Sequence, residues 1–203
     1  MGACSVLILL RCLAQKLNIM PTKTIENLGC LKKASIPDGW TELPRPAEEL
    51  SEFRQRKFFS SFDNDVELVF YFRGQAIDAE SASRFREVLE AKPANKSEEK
   101  LTPNEIISLQ ILMGFDHAGN NQYTNPDSPR FELVMAATKR VNGRTILAVR
   151  GNFRGGKHYA GVFFAADKEH ELIEEIMLQA PSAAKLAKYL DKLEFVLSKI
   201  EWK

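Results

Sequence analysis

The sequence predicts an α+β domain in which helices cover both faces of an antiparallel β-sheet, an α/β/α sandwich. Three observations predict it. Between Arg130 and Ala180 the chain runs through successive apolar strands, broken by Asn142-Gly143 and by Arg154-Gly155-Gly156-Lys157. Within them, apolar residues fill consecutive positions: Tyr159, Phe163 and Ala165 point one way, Ala160, Val162 and Phe164 the other, where strict alternation would mark one wet face. The turns are too short for crossovers and an amphipathic helix follows, so an antiparallel sheet with helices on both sides is the economical solution.

The first elements are read as follows. Residues 1–34 are expected to be an N-terminal extension, with Met20 an alternative start, and residues 35–203 a single α/β domain. Ile36-Pro37-Asp38-Gly39-Trp40 joins turn residues to a large apolar anchor and reads as the beginning of that domain. Pro44 and Pro46 hold the next segment extended or looped. Arg54 to Ser61 and Val66 to Arg73 are aromatic-rich and β-prone, and Asp63-Asn64 between them predicts a hairpin. Asp78 or Ser81 can cap a helix running to about Ala91, with Phe85, Val88 and Leu89 on one side. Thr102-Pro103-Asn104-Glu105 combines a capping box with proline at the first helical position, and its helix is expected to stop at Gly114.

After the meander, Pro181 and Ser182 suit the first turn of the closing helix, and Leu186, Leu190, Leu193, Leu197 and Ile200 recur at four-three spacing. Phe195 and Trp202 would fall nearly opposite that stripe on a continuous helix. Either the helix ends near Ser198 and Ile200-Glu201-Trp202 returns as a strand, which is the favoured reading, or Phe195 and Trp202 form an exposed pair that binds a partner.

The segment Ile36–Trp40, the meander around Asn142-Gly143-Arg144 and the closing helix before Ile200-Glu201-Trp202-Lys203 together resemble the PsbP-like fold family. That group includes the extrinsic photosystem II protein, a Ran-GTPase release factor and small bacterial proteins and lipoproteins. The resemblance covers roughly residues 35–203. It implies a binding or assembly module and brings no catalytic set with it.

Composition narrows the function classes. With 44% hydrophobic and 27% charged residues the chain can bury a real core, and a net charge of +1 excludes a global electrostatic pull toward nucleic acid or membrane. Cys4, Cys12 and Cys30 are odd in number and too widely spaced for a disulfide framework or a paired zinc motif, so reduced, dispensable thiols outside the core are expected. The apolar run Val6–Leu10 is far short of the roughly 20 residues that span a bilayer. Met1-Gly2-Ala3-Cys4 resembles an acylated start and Asn27-Leu28-Gly29-Cys30 a lipoprotein box, each imperfectly. The expected location is cytoplasmic, with attachment to a membrane through the N-terminal segment as the alternative.

Candidate site residues fall in two places besides the aromatic pair. Arg150, Arg154, Lys157 and His158 form the basic part of the meander and could meet a phosphate, a carboxylate or an acidic protein surface, though cations at turns and edges also serve to keep strands from pairing between molecules. The glycine turn among them is expected to supply positive φ to a hairpin and lacks phosphate-loop spacing. Asp116 and His117 stand in the long polar loop between Gly114 and Arg130, where they could ligate a metal or act as an acid/base pair, but no second histidine completes a set. No nucleophile elbow, zinc-helix or nucleotide motif is present, so no catalytic residue, cofactor or metal is assigned. The leading expectation is a non-enzymatic module that binds a protein partner, without specific nucleic-acid recognition. A binder of a small anion or acidic partner through the basic meander comes second, and a metal-dependent hydrolase on the 114–129 loop third.

Overall fold

The computed structural model describes residues 23–44, 54–76, 78–92, 98–106, 131–153, 156–166 and 172–203. Its elements in chain order are β1 (Thr24–Leu28), β2 (Leu31–Ser35), β3 (Trp40–Glu42), β4 (Arg54–Ser60), β5 (Glu67–Ala76), α1 (Ala79–Ala91), β6 (Glu99–Lys100), β7 (Phe131–Val141), β8 (Arg144–Phe153), β9 (His158–Ala165), β10 (Leu172–Ala180), α2 (Ala183–Ser198) and β11 (Glu201–Trp202). An eight-stranded sheet runs in the order β3-β4-β5-β10-β9-β8-β7-β6, and a three-stranded sheet in the order β1-β2-β11. Every neighbouring pair is antiparallel.

The consecutive apolar residues of the meander divide between two cores, as the pleat requires. Ile146, Ala148, Ala160, Val162, Phe164, Ile176 and Leu178 meet Leu186, Tyr189, Leu193, Val196 and Leu197 of α2, together with Ile25, Leu31 and Ala34 of the small sheet. Leu147, Val149, Tyr159, Phe163 and Ile173 on the other face join Phe85, Val88 and Leu89 of α1, with Phe131 and Leu101. The expected helical cover of both faces is thus met in part. The first face is covered by α2 and the small sheet, whereas the 13-residue α1 contributes Phe85, Val88 and Leu89 to the second core.

Local sequence signals explain most boundaries. Asp78 caps α1 by accepting from the Ser81 N–H at 2.9 Å. Thr102 and Glu105 close a reciprocal capping box, with the Thr102 N–H donating to Glu105 Oε2 at 2.6 Å and the Glu105 N–H to Thr102 Oγ1 at 3.4 Å. The helix they start is described only over 103–106. Ser182 accepts from the Lys185 N–H and caps α2. The β4–β5 hairpin turns around Asp63 as expected.

The domain boundary expected from the sequence requires correction. Residues 24–35 are not an extension: Ile25 and Ala34 are fully buried and Leu31 is 1% exposed. The folded unit therefore includes β1 and β2, which pair with β11 from the far end of the chain. Cys30 is likewise a buried core residue rather than a peripheral thiol, and its place inside the β1–β2 turn is incompatible with the lipoprotein-box reading of Asn27–Cys30. Cys4 and Cys12 lie outside the described residues. The glycine turn between β8 and β9 is only partly described, and Gly156 does not take the left-handed conformation expected of it.

Asn142 does two jobs. It adopts φ +45° in the two-residue turn between β7 and β8, and its side-chain amide donates to Ile200 O at 2.7 Å, just beyond the end of α2. The turn of the central hairpin is thereby tied to the last turn of the closing helix. Asn142→Ala is expected to lower the unfolding free energy by about 2 kcal/mol in urea denaturation, through left-handed strain plus the lost hydrogen bond. Asn142→Gly removes only the second contribution and should cost about half as much.

Candidate functional site

Of the residues nominated from the meander, Arg150, Lys157 and His158 are described. Arg150 projects toward α2 and lines a shallow groove with Met135, Ala160, Val162, Leu190 and Leu193. Lys157 is engaged elsewhere, its Nζ 2.6 Å from Glu67 Oε1 on β5. His158 opens β9, opposite Asn152 and Ala180. Arg154, Asp116 and His117 lie outside the described residues. Among the described residues no group of three or more His, Cys, Asp and Glu is placed to hold a metal ion.

The aromatic pair also separates. The helix ends at Ser198, and Trp202 returns in β11 as the favoured reading expected. Its ring packs on Phe164 with centroids 5.1 Å apart, its Nε1–H donates to Val141 O at 3.0 Å, and the Arg144 guanidinium lies 4.9 Å over it. Trp202 is therefore half-buried at a structural seam. Phe195, half-buried on α2, makes no ring contact with it among the described residues.

Two features emerge in place of these. The first is a polar junction where the small sheet meets the end of the large one. Glu174 of β10 is 3% exposed, and its Oε1 accepts from the backbone N–H of Cys30 at 2.9 Å. Arg144 donates to Ala165 O at 3.3 Å, to Lys203 O at 3.3 Å and to Cys30 Sγ at 3.5 Å. Lys203 donates its backbone N–H to Cys30 O and its Nζ to Gly29 O, 3.0 and 2.5 Å away. Gly29 has φ +53°, and a Cβ there would sit 1.9 Å from Glu174 Oε1, so only glycine fits. Burial, reinforced by the negative charge of Glu174, pushes the Cys30 thiol up to about 12 and leaves it unreactive at neutral pH. Burial also raises the Glu174 carboxyl, to about 7, against the Cys30 hydrogen bonds and the charges of Lys203 and Arg144.

The second feature is the loop between β4 and β5. Phe62 at its tip is 83% exposed. Beneath it, Ser60 Oγ accepts from the N–H groups of Phe62 and Asp63, both at 3.3 Å, and donates to the Tyr189 hydroxyl at 3.1 Å. Tyr189 in turn donates to Asp63 Oδ2 at 2.7 Å, and its ring meets Trp40 edge-on with centroids 5.9 Å apart. Lys188 binds Asp63 at 2.9 Å, and Lys185 binds Asp65 at 2.7 Å. These bonds from Lys188 and Tyr189 hold the Asp63 carboxyl down at about 2. An exposed aromatic thus stands on a loop pinned to α2.

Both features left weak marks in the sequence. Glu174-Glu175 inside an apolar strand places one carboxylate on each face, and each needs a partner. Glu175 finds Tyr159, whose ring lies over the bare Cα of Gly161 to donate to it. Phe62 is an aromatic residue in an otherwise polar turn, Ser60 to Asp65.

Gly29→Ala is expected to cost about 2 kcal/mol or more in urea denaturation, with a smaller loss when Glu174 is also changed to Ala, since the strain at φ remains and the clash does not. At the loop, the stability contributed by Asp63 is present above its ordinary value of 3.8 and is lost as pH falls toward about 2. Acid titration of thermal stability should show this limb in the wild type and lack it in Asp63→Asn.

No helix among the described residues is long and apolar enough to cross a membrane. No protein-family model matches the chain, and no curated protein matches it in sequence. In three dimensions it is similar to the solution structure of cyanobacterial PsbP (CyanoP) from Synechocystis sp. PCC 6803, with a TM-score of 0.51 and 9% identity, covering 91% of this chain and 94% of that one. The likeness covers most of both chains, so the chain has the PsbP-like fold that its meander and final helix resembled in sequence.

Proposed function

We propose that this chain is a non-enzymatic protein-interaction or assembly module of PsbP-like type, acting in the cytoplasm with helices over both faces of its sheet. The observation that carries the proposal is Phe62, 83% exposed on a loop braced by Ser60, Tyr189, Lys185 and Lys188. A large apolar side chain gains most on burial in a partner when its own position is already paid for by the scaffold. Support also comes from the fold, which is similar to that of cyanobacterial PsbP. The proposal moves the partner contact from Phe195 and Trp202 to the loop tip, because Trp202 is occupied by Phe164 and Arg144.

A second reading is favoured by Arg150. Arg150 is half-buried in the groove that Leu190, Leu193, Lys139, Glu98 and Glu194 also line, and no ion pair or side-chain hydrogen bond joins it to another described residue. Such a group suits a carboxylate or phosphate. Salt-sensitive anion binding that disappears in Arg150→Glu would support this reading, and unchanged binding in that variant would remove it.

The test of the first reading is crosslinking and affinity capture with the intact chain, wild type against Phe62→Asp. The expected result is one specific partner whose affinity falls about thirtyfold or more in the variant, as for an aromatic anchor, with the melting temperature unchanged within about 2 °C. Equal capture by both proteins sinks the Phe62 surface. Metal- or substrate-dependent turnover abolished by one side-chain change sinks the non-enzymatic reading altogether.

A further inference from the structure

We infer that the Glu174 carboxyl group is a pH-sensitive latch that holds the small sheet of β1, β2 and β11 against the end of the large sheet. The latch is built across a junction of distant segments. Glu174 comes from β10, 3% exposed, and the bond it accepts comes from Cys30 in the turn that joins β1 to β2, 144 residues away in sequence. That turn approaches so closely that Gly29 has no room for a side chain above the carboxyl. The carboxyl is thus enclosed by the element it fastens, and water reaches it fully only when the turn lifts.

Among the described residues the groups around it are few. From the β1–β2 turn it faces the Cys30 thiol, from β8 the Arg144 guanidinium, and from the end of the chain the Lys203 ammonium. Alongside on β9 the residue in register is the uncharged Phe164, and on β5 it is Phe72. No ion pair joins Arg144 or Lys203 to Glu174 among the described residues. Arg144 is committed to Cys30 Sγ, Ala165 O and Lys203 O, and Lys203 Nζ to Gly29 O. The two cations therefore moderate the enclosure of the carboxyl without cancelling it.

The direction of the switch follows. In the closed junction the carboxyl loses its proton near 7, whereas in water it does so near 4.5. Between these values the open form is ionised and the closed form is not, so raising the pH favours opening. Closure is fully supported below about 4.5, weakens as pH rises toward 7, and levels off above it. From pH 6 to 8 the opening equilibrium of the small sheet should rise about tenfold. Opening uncovers Ile25, Leu31 and Ala34 together with the core residues they cover. The chain thereby gains apolar surface that varies with pH around neutrality, independently of whether Phe62 contacts a partner.

Amide hydrogen exchange of the full chain between pH 6 and 8, corrected for intrinsic exchange, tests the latch. Protection of residues 24–35 and of Lys203 should fall about tenfold with rising pH, while Ile146 to Val149 in β8 stay unchanged. In Glu174→Gln the slope should vanish. A pH-independent wild type, or the same slope in the variant, overturns the inference. Carbon-13 titration of the wild-type Glu174 carboxyl needs no variant: a midpoint near 7 supports the latch, and one below about 5.5 overturns it.

Discussion

The fold depends on the burial of β8, β9 and β10 on both faces at once. Strands of this kind cannot rest on one core, because every second side chain would be left in water. Ile146 and Leu147, or Val162 and Phe163, are neighbours in sequence yet belong to different cores. α2 and the small sheet meet one of these cores, and Phe85, Val88 and Leu89 of α1 join the other. Each fully buried aliphatic or aromatic side chain is worth about 1.5–3 kcal/mol, so neither face can be left bare without losing most of the stability of a domain.

What holds the covering layers in place is polar and long-range. The small sheet is fastened by Glu174, Arg144 and Lys203, and the start of α2 by Asp63 and Asp65. Apolar contact is tolerant of sliding, whereas a carboxylate matched to one amide or one ammonium is not. The apolar faces decide that the layers meet, and these polar contacts decide where. Cys30 illustrates the division: its backbone N–H and C=O are both used at the seam, and its thiol is a buried filler.

The readable parts of the sequence were those whose signals are local. Capping residues Asp78, Thr102 and Ser182, the Asn142-Gly143 turn and the alternating faces of β9 each act through neighbours a few residues away. The start of the folded unit was not legible, for a definite reason. Ile25, Leu28, Leu31 and Ala34 recur every three residues, and Asn27 at φ +54° with the turn at Gly29 breaks the alternation that marks strands. Polar Glu26, Lys32 and Lys33 between them completed the disguise. The site was less legible still, because Glu174 acquires its meaning from Cys30, and Phe62 from Tyr189, over separations no local pattern spans. Of the nominated cations that are described, Arg150 lines the groove beside α2 while Lys157 pairs with Glu67 of β5.

The Asn142-Gly143 turn also carries a chemical clock. Asparagine followed by glycine is the pair most open to attack by the next backbone nitrogen on the side-chain amide, with loss of ammonia. Here the amide is held against Ile200 O and the neighbouring carbonyls of Leu197 and Ser198, away from that reaction. The docked helix end therefore shields its own turn from ageing. If the turn does age, the donor becomes a carboxylate facing three carbonyl oxygens at the negative end of a helix, and the change would loosen the very contact that had prevented it.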